Sequence, residues 1–305
     1  MNDTQTRWDI VGIGAATVDE LLIVDHYPLA DSKQEVIATD RHGGGLVATA
    51  SVASARLGVA TAYVDVLGED DLSHWVIADF EREGVDTSLI ARHPDARPIH
   101  AFIIVEQGTG SRTILFTTAG HVPPTADKTL LDAVRAARVL MIDDVSTDPT
   151  ATIRAMETAR AAGVAVVADI ERRTDAQLLA LADHLIVSSG YAARTLGETD
   201  PAAAARAFWR EDRAAVVITC GIQGSWYLDG TGEPQFQPAF TVQAVDTTGC
   251  GDVFHGAYAA GLVWGLDLPA RVRLASAVAA LKATQLGGRR GIPTRAQAEA
   301  FMAGA

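Results

Sequence analysis

The sequence has two cysteines in 305 residues, Cys220 and Cys250, and neither stands in a C-x-x-C or other metal-ligand spacing. That excludes a disulfide framework and a zinc site, and both side chains read as free thiols. Positive charge is also scarce: 25 Lys and Arg stand against 38 Asp and Glu, giving a formal net charge of −13 and a pI near 5.0. A chain this acidic is repelled by nucleic acid and by anionic membrane surfaces. Long apolar runs are missing as well, and residues 1–8 are polar with no apolar h-region. These absences set the expectation of a cytoplasmic protein with no nucleic-acid or membrane partner. What is present is 48% hydrophobic and 21% charged, over a length that suits one large α/β unit with an insertion.

One stretch organises the rest. At residues 245–257, VDTTGCGDVFHGA, a glycine-threonine turn runs directly into an apolar helix pattern with a carboxylate in its first turn. Such a turn aims unpaired backbone N–H groups at one point, and the helix dipole adds partial positive charge there, which predicts an anion cradle. Asp252 would repel a resident anion but suits phosphoryl transfer. It takes the proton of an attacking hydroxyl while the Gly249, Cys250 and Gly251 amides hold the developing charge. Nearness to the helix start favours the ionised carboxylate that a base requires. For a bare G-x-G-D the alternative is an ordinary glycine turn in which Asp252 serves only the helix. His255, three positions on, falls on a neighbouring helix face and reads as structural or substrate-edge rather than as a second base.

The chain opens with a buried strand at residues 8–14, WDIVGIG. Gly12-x-Gly14 lacks the third glycine and the immediate helix of a dinucleotide fingerprint. Residues 21–24 and 35–38 read as strands joined by a Pro-Asp loop, with Asp19 where the chain leaves the main sheet. The glycine run at 43–45 feeds a small-residue helix stopped by Gly58, which must pack closely against other backbone. A strand at 61–67 and a helix at 71–83 follow, then alternating runs at 98–105 and 112–118 around Gly108-Thr109-Gly110, a hairpin signal. With 21–24 and 35–38 these runs predict a small antiparallel sheet beside the main domain. From residue 125 strands alternate with helices, and strands apolar on both faces predict a doubly wound, mainly parallel α/β sheet. Ligands of such sheets bind beyond the carboxyl ends of the strands. Lys33, Arg97 and Arg112 fall in or beside the small sheet, where together they would meet an anionic substrate group.

The string D-T-T-G-C-G-D-x-F-x-G-A from Asp246 to Ala257 resembles the C-terminal signature of the PfkB (ribokinase-like) carbohydrate kinases, with Cys250 for the usual Ala. Gly44 and Gly45, followed by a small-residue helix ending in A-R-L-G, resemble the N-terminal signature, and V-x-T-x-G-x-x-G at 217–224 resembles the turn beside the nucleotide. The resemblance covers essentially the whole chain. Within the family it is nearest to the ketohexokinase and sulfofructose kinase branch, through GSRTIL at 110–115 and the Gly287-Gly288-Arg289 loop.

The resemblance implies a single ribokinase-like domain over residues 1–305, with a β lid inserted from about 17–41 and 96–119. It implies an ATP-dependent kinase acting on a primary hydroxyl of a sugar, a ketohexose such as fructose or sulfofructose. Mg-ATP would be the co-substrate, and a monovalent cation such as K+ would sit at Asp246. The sugar would meet Asp19, Gly44, Gly45, Thr49, Lys33 and Arg112. The nucleotide would meet Thr219, Gly221, Gly224, Thr248, Gly249, Gly251, Ala279 and Lys282, with Asp252 as base. The lid would also form a homodimer contact. Two departures stand out: the family's sugar-binding Asn falls on Thr49, and the N-x-x-E string expected near Ser188 to Tyr191 is missing, leaving the magnesium ligands unassigned. Phe116 and Ser146, in the sugar-facing segments, carry no charge, so a neutral ketohexose is no less favoured than a sulfonated one. The alternatives are a nucleoside or phosphosugar kinase of this family, a non-catalytic sugar or nucleotide sensor, and a nicotinamide oxidoreductase using the first glycine turn.

Overall fold

The computed structural model describes residues 7–109, 111–145 and 147–304, so Gly110 and Ser146 lie outside it. The chain enters through a fully buried strand, β1 (Ile10–Ile13), leaves along β2 (Thr17–Val24), returns along β3 (Ala38–Gly44) and continues into α1 (Leu46–Arg56). Next come β4 (Thr61–Val64), β5 (Val66–Leu67), α2 (Asp71–Arg82), β6 (Ala91–Arg92) and the hairpin of β7 (Ile99–Glu106) with β8 (Arg112–Thr117). Alternation follows: α3 (Lys128–Ala136), β9 (Val139–Asp143), α4 (Pro149–Ala161), β10 (Ala165–Asp169), α5 (Ala176–Leu181), β11 (His184–Ser188), α6 (Ser189–Leu196), α7 (Pro201–Phe208) and β12 (Ala215–Thr219). Strands β13 (Gly224–Leu228) and β14 (Gln235–Pro238) and helices α8 (Cys250–Val263), α9 (Leu268–Lys282) and α10 (Arg295–Ala303) complete the chain.

The main sheet runs β14-β13-β12-β11-β10-β9-β1-β4, parallel from β12 to β4 and antiparallel at β13 and β14. Alternate side chains leave opposite faces. Ile10, Tyr63, Met141, Val167 and Val217 pack toward α1, α8 and α9, while Val11, Ala62, Leu140, Val166 and Val216 pack toward α3, α4 and α7. That two-sided burial is the doubly wound arrangement.

Eight of the ten α-helices among the described residues begin on a side-chain cap, six of them Asp. Each such cap contributes about 1 kcal/mol. The exceptions, α1 and α8, start at Gly45 and Gly249 with no side-chain cap. These two helices pack on each other through small residues. A Cβ on Gly256 would overlap the Ala50 carbonyl oxygen, and Ser54 Oγ donates to the Gly256 carbonyl at 2.9 Å. Gly12 belongs to the same packing, since a Cβ there would press on Val47 and Ser51.

The second sheet is four-stranded, β3-β2-β7-β8. Its outer pairings are antiparallel, as expected, but the central pair, β2 with β7, is parallel. A hairpin fixes direction only between consecutive strands, and β2 and β7 belong to separate excursions of the chain. Two boundaries also differ from the sequence reading. The return strand begins at Ala38 rather than 35 and continues through Gly43 and Gly44. The run at 61–67 breaks at Asp65, whose buried carboxylate accepts the Ala16 N–H and its neighbour Val66 N–H, both at 2.8 Å.

Candidate active site

The two uncapped helix starts face one region, and the second sheet lies over it. On the β2 side, Asp19 is fixed by Thr17, whose hydroxyl donates to Asp19 Oδ1 at 2.8 Å. Gly44 is required opposite, because a Cβ there would overlap both Asp19 Oδ2 and Thr17 Oγ1. Burial raises the Asp19 carboxyl above the usual carboxylate range, opposed by the Thr17 hydroxyl and the nearby charge of Arg289.

Arg289 was not singled out in the sequence as a site residue, yet it is buried beneath the glycine strand. Its guanidinium donates to Asp79 Oδ2 at 2.7 Å, to the Gly44 carbonyl at 2.8 Å and to Thr49 Oγ1 at 3.3 Å, and it lies over the Phe80 ring at 5.3 Å. Thr49 is therefore fully buried and held from behind. The only advance signal was an Arg inside a glycine run, which is silent about direction.

On the opposite side Asp246 organises the turn into α8. Oδ1 accepts the Thr248 N–H and Oδ2 the Gly287 N–H, both at 2.8 Å, while the Asp246 main-chain oxygen accepts from Lys282 Nζ at 2.9 Å. Burial opposes ionisation here, but these amides and Lys282 outweigh it and hold the carboxyl below its ordinary value. Gly249 adopts φ 76, which only glycine takes up without strain, and α8 starts there. Gly251 is exposed and Cys250 is half-buried.

Asp252 occupies the first turn of α8. Burial pushes its carboxyl well above the ordinary value, with Asp169, Glu171 and Asp143 adding to the shift and His255 opposing it. The helix start alone would have pulled the other way. His255 is buried, with Nδ1 2.8 Å from the Gly251 carbonyl and 3.4 Å from Asp169 Oδ2, and Nε2 3.1 Å from the Ile186 carbonyl. Both ring nitrogens thus face oxygen acceptors, which makes His255 a scaffold for the first turn of α8.

A cavity of about 300 Å³ joins the two sides. Asp19, Leu21, Ile23, Ile103, Val105 and Arg112 line it from the second sheet, and Val245, Asp246, Thr248 and Leu286 from below. Arg112 Nη1 stands 3.8 Å from Asp246 Oδ1 across it. Lys33 is exposed on the loop between β2 and β3 and is not among the lining residues. Farther along the main sheet, Thr219 closes β12, and Gly221 and Gly224 take φ 57 and 122 around a single 3-10 turn. A Cβ on Gly224 would overlap the Gln237 carbonyl oxygen. The Ala279 carbonyl oxygen accepts from Cys250 Sγ at 3.5 Å, so α9 is tied to the turn at two points.

The segment expected to hold N-x-x-E is committed to structure. Ser188 caps α6, and the Tyr191 hydroxyl donates to the Arg173 carbonyl at 2.6 Å. Among the described residues no three His, Cys, Asp or Glu side chains come together as a metal cage. No helix among them is long and apolar enough to cross a membrane.

Residues 9–295 match the model of the pfkB family carbohydrate kinases. The chain is 25% identical to the ribokinase of Bacillus subtilis, covering 96% of this chain and 99% of that one, and 29% identical to "Probable fructokinase-4" of Arabidopsis thaliana, covering 97% of each. It is 27% identical to a bifunctional ribokinase/ribose-5-phosphate isomerase A of Fructilactobacillus sanfranciscensis over 94% of its own length, spanning 54% of that protein. The structure of Arabidopsis thaliana ribokinase complexed with ribose and ATP superposes with a TM-score of 0.87 over 97% of this chain and 98% of that one, at 23% identity, which establishes the shared fold. With Asp246 and Thr248 of the C-terminal signature lining the cavity and the family model spanning nearly the full length, the chain belongs to the pfkB family of carbohydrate kinases, phosphotransferases with an alcohol group as acceptor.

Proposed function

We propose that this kinase transfers the γ-phosphoryl group of ATP to a primary hydroxyl of a neutral ketohexose, fructose-like in size. The observation that supports this best is the single cavity that reaches from Asp19 to Asp246 and Thr248, at the start of the glycine turn. Asp19 accepts from sugar hydroxyls beside the Gly44 and Gly45 backbone, while Thr49, buried behind that backbone with its hydroxyl facing Arg289, supports it rather than meeting the sugar. The apolar residues Leu21, Ile23, Ile103 and Val105 exclude water, so that ATP is not simply hydrolysed. Asp252 takes the hydroxyl proton, and the Gly249 and Gly251 amides hold the charge developing on the phosphoryl group, while the Cys250 N–H, expected to join them, is donated to the Thr247 carbonyl at 3.2 Å. Magnesium arriving with the nucleotide neutralises its β and γ oxygens. Thr219, Gly221, Gly224, Thr248 and Ala279 lie on the nucleotide side.

The second sheet, contributed by residues 17–41 and 96–119, is the lid. Its exposed apolar residues Phe102, Ile114, Leu115 and Phe116 support a homodimer through β8. Consumption of ATP and two free cysteines fit the cytoplasm. A second reading, an acidic acceptor such as a phosphosugar or sulfonated ketose, draws on Arg112, which is the cationic side chain lining the cavity. The test is ADP release from Mg-ATP with fructose, other ketoses, aldoses, sulfofructose, phosphosugars and nucleosides, beside Asp252→Asn. ADP formed with a neutral ketose, and only with intact Asp252, is the expected result. Turnover confined to anionic acceptors supports the second reading. ATP binding without turnover of any acceptor points to a sensor.

A further inference from the structure

The family resemblance calls for a monovalent cation at Asp246, and the residues there do not fit one. Both Asp246 carboxylate oxygens already accept backbone N–H groups, from Thr248 and Gly287. The Ala283 carbonyl oxygen, at the end of α9, accepts the Val245 and Asp246 N–H groups at 2.7 and 3.0 Å. The Asp246 main-chain oxygen is taken by Lys282 Nζ at 2.9 Å, and Arg112 stands on the cavity side of the same carboxylate. These four oxygens each already accept at least one donor, and two positive side chains flank the single negative one, so a cation there would meet both filled acceptors and like charge.

We propose that the Lys282 ammonium is a tethered replacement for that cation, and that this kinase binds ATP and turns over without dependence on K+. Lys282 is the last residue of α9 and is fully buried, so its charge sits at the negative end of its own helix and behind the turn that starts α8. A lysine carries a compact charge on a flexible stem, the side chain closest in kind to a monovalent ion. It is not among the residues lining the cavity and reaches the Asp246 main-chain oxygen instead, which ties α9 to the 246–250 turn and adds positive potential beside the Gly249, Cys250 and Gly251 amides. An ion in solution is lost at low concentration, whereas this charge is present in every molecule. Burial lowers the Lys282 ammonium from its ordinary value, opposed in part by the charge of Asp246.

The inference rests on the kinase reading for its rate arm but not for its binding arm. ATP affinity, thermal midpoint and, with any accepted sugar, ADP release are measured on the full chain in buffers holding K+, Na+ or only choline. All three are expected to agree within twofold in affinity and rate and within 1 °C in midpoint, on the order of the scatter of such measurements. A tenfold tighter ATP affinity in K+ than in choline, or a midpoint several degrees higher, overturns the proposal whether or not an acceptor is known. Lys282→Met is expected to weaken ATP binding about tenfold, through loss of the charged hydrogen bond that holds the Asp246 turn, and to acquire a response to K+ absent from the parent. A folded Lys282→Met protein with unchanged ATP affinity and no response to K+ also overturns it. Because the parent protein alone gives the first comparison, the test stands even if that variant does not fold.

Discussion

Asp252 and Arg289 hold charge out of water for different purposes. Asp252 is pushed upward by burial and by Asp169, Glu171 and Asp143, so its titration lies above the usual carboxylate range. As a base it works only when ionised, so kcat/KM is expected to fall as pH drops through that raised value, an acidic limb visible in a pH–rate profile. Asp252→Asn is expected to lower kcat by at least about 10²–10³ while leaving ATP affinity intact, because it removes the proton acceptor and keeps the shape. Arg289 acts through others, holding Gly44 and Thr49 in place while paired with Asp79. Arg289→Met is expected to cost about 1–3 kcal/mol in a denaturant titration, because buried Asp79 loses its inner partner and keeps only the exposed Arg82. An Arg289→Met/Asp79→Leu double variant is expected to recover much of that loss.

Among the elements, the break between β4 and β5 is set by one carboxylate. Burial raises Asp65 to about 7, opposed by the Ala16 and Val66 amides and reinforced by Asp143. The folded protein therefore binds this proton near neutrality and the unfolded chain only near the ordinary value. Stability from this group is present at low pH and is lost as pH rises toward 7. Asp65→Asn keeps an acceptor for the Ala16 N–H and is expected to flatten the decline in melting temperature between about pH 4 and 7. The contact of α1 with α8 is equally exacting. Gly256→Ala places a methyl group against the Ala50 carbonyl oxygen and is expected to cost about 1–3 kcal/mol and to impair turnover, because both uncapped starts shift.

At the scale of the whole molecule the homodimer proposed through the exposed β8 strand of the second sheet predicts a mass in solution twice that of the 32.1 kDa chain. Leu115→Asp with Phe116→Asp is expected to give a monomer by analytical ultracentrifugation. The main sheet, the helices and the glycine turn were legible because apolar periodicity and capping residues act over a few positions. The β3 glycines were not, since glycine signals a turn unless one knows that Asp19 and Thr17 crowd the opposite side. Arg289 and Lys282 were hidden for another reason. Arg289 meets a carbonyl 245 positions away, and Lys282 turns from the expected nucleotide pocket toward the back of Asp246, and local pattern fixes neither direction.

The division of helix starts has a kinetic consequence. Among the described residues six α-helices are capped by Asp, which helps to build the net charge of −13, and of the α-helices α1 and α8 alone start without a side-chain cap. An approaching nucleotide anion is therefore repelled at long range and attracted only within the last few ångströms. Screening removes the first effect before the second, because the Debye length shortens from about 30 Å at 0.01 M to about 8 Å at 0.15 M salt. The association rate of ATP, followed by stopped-flow, is expected to rise over that range, opposite to the behaviour of an enzyme whose surface steers its anion inward.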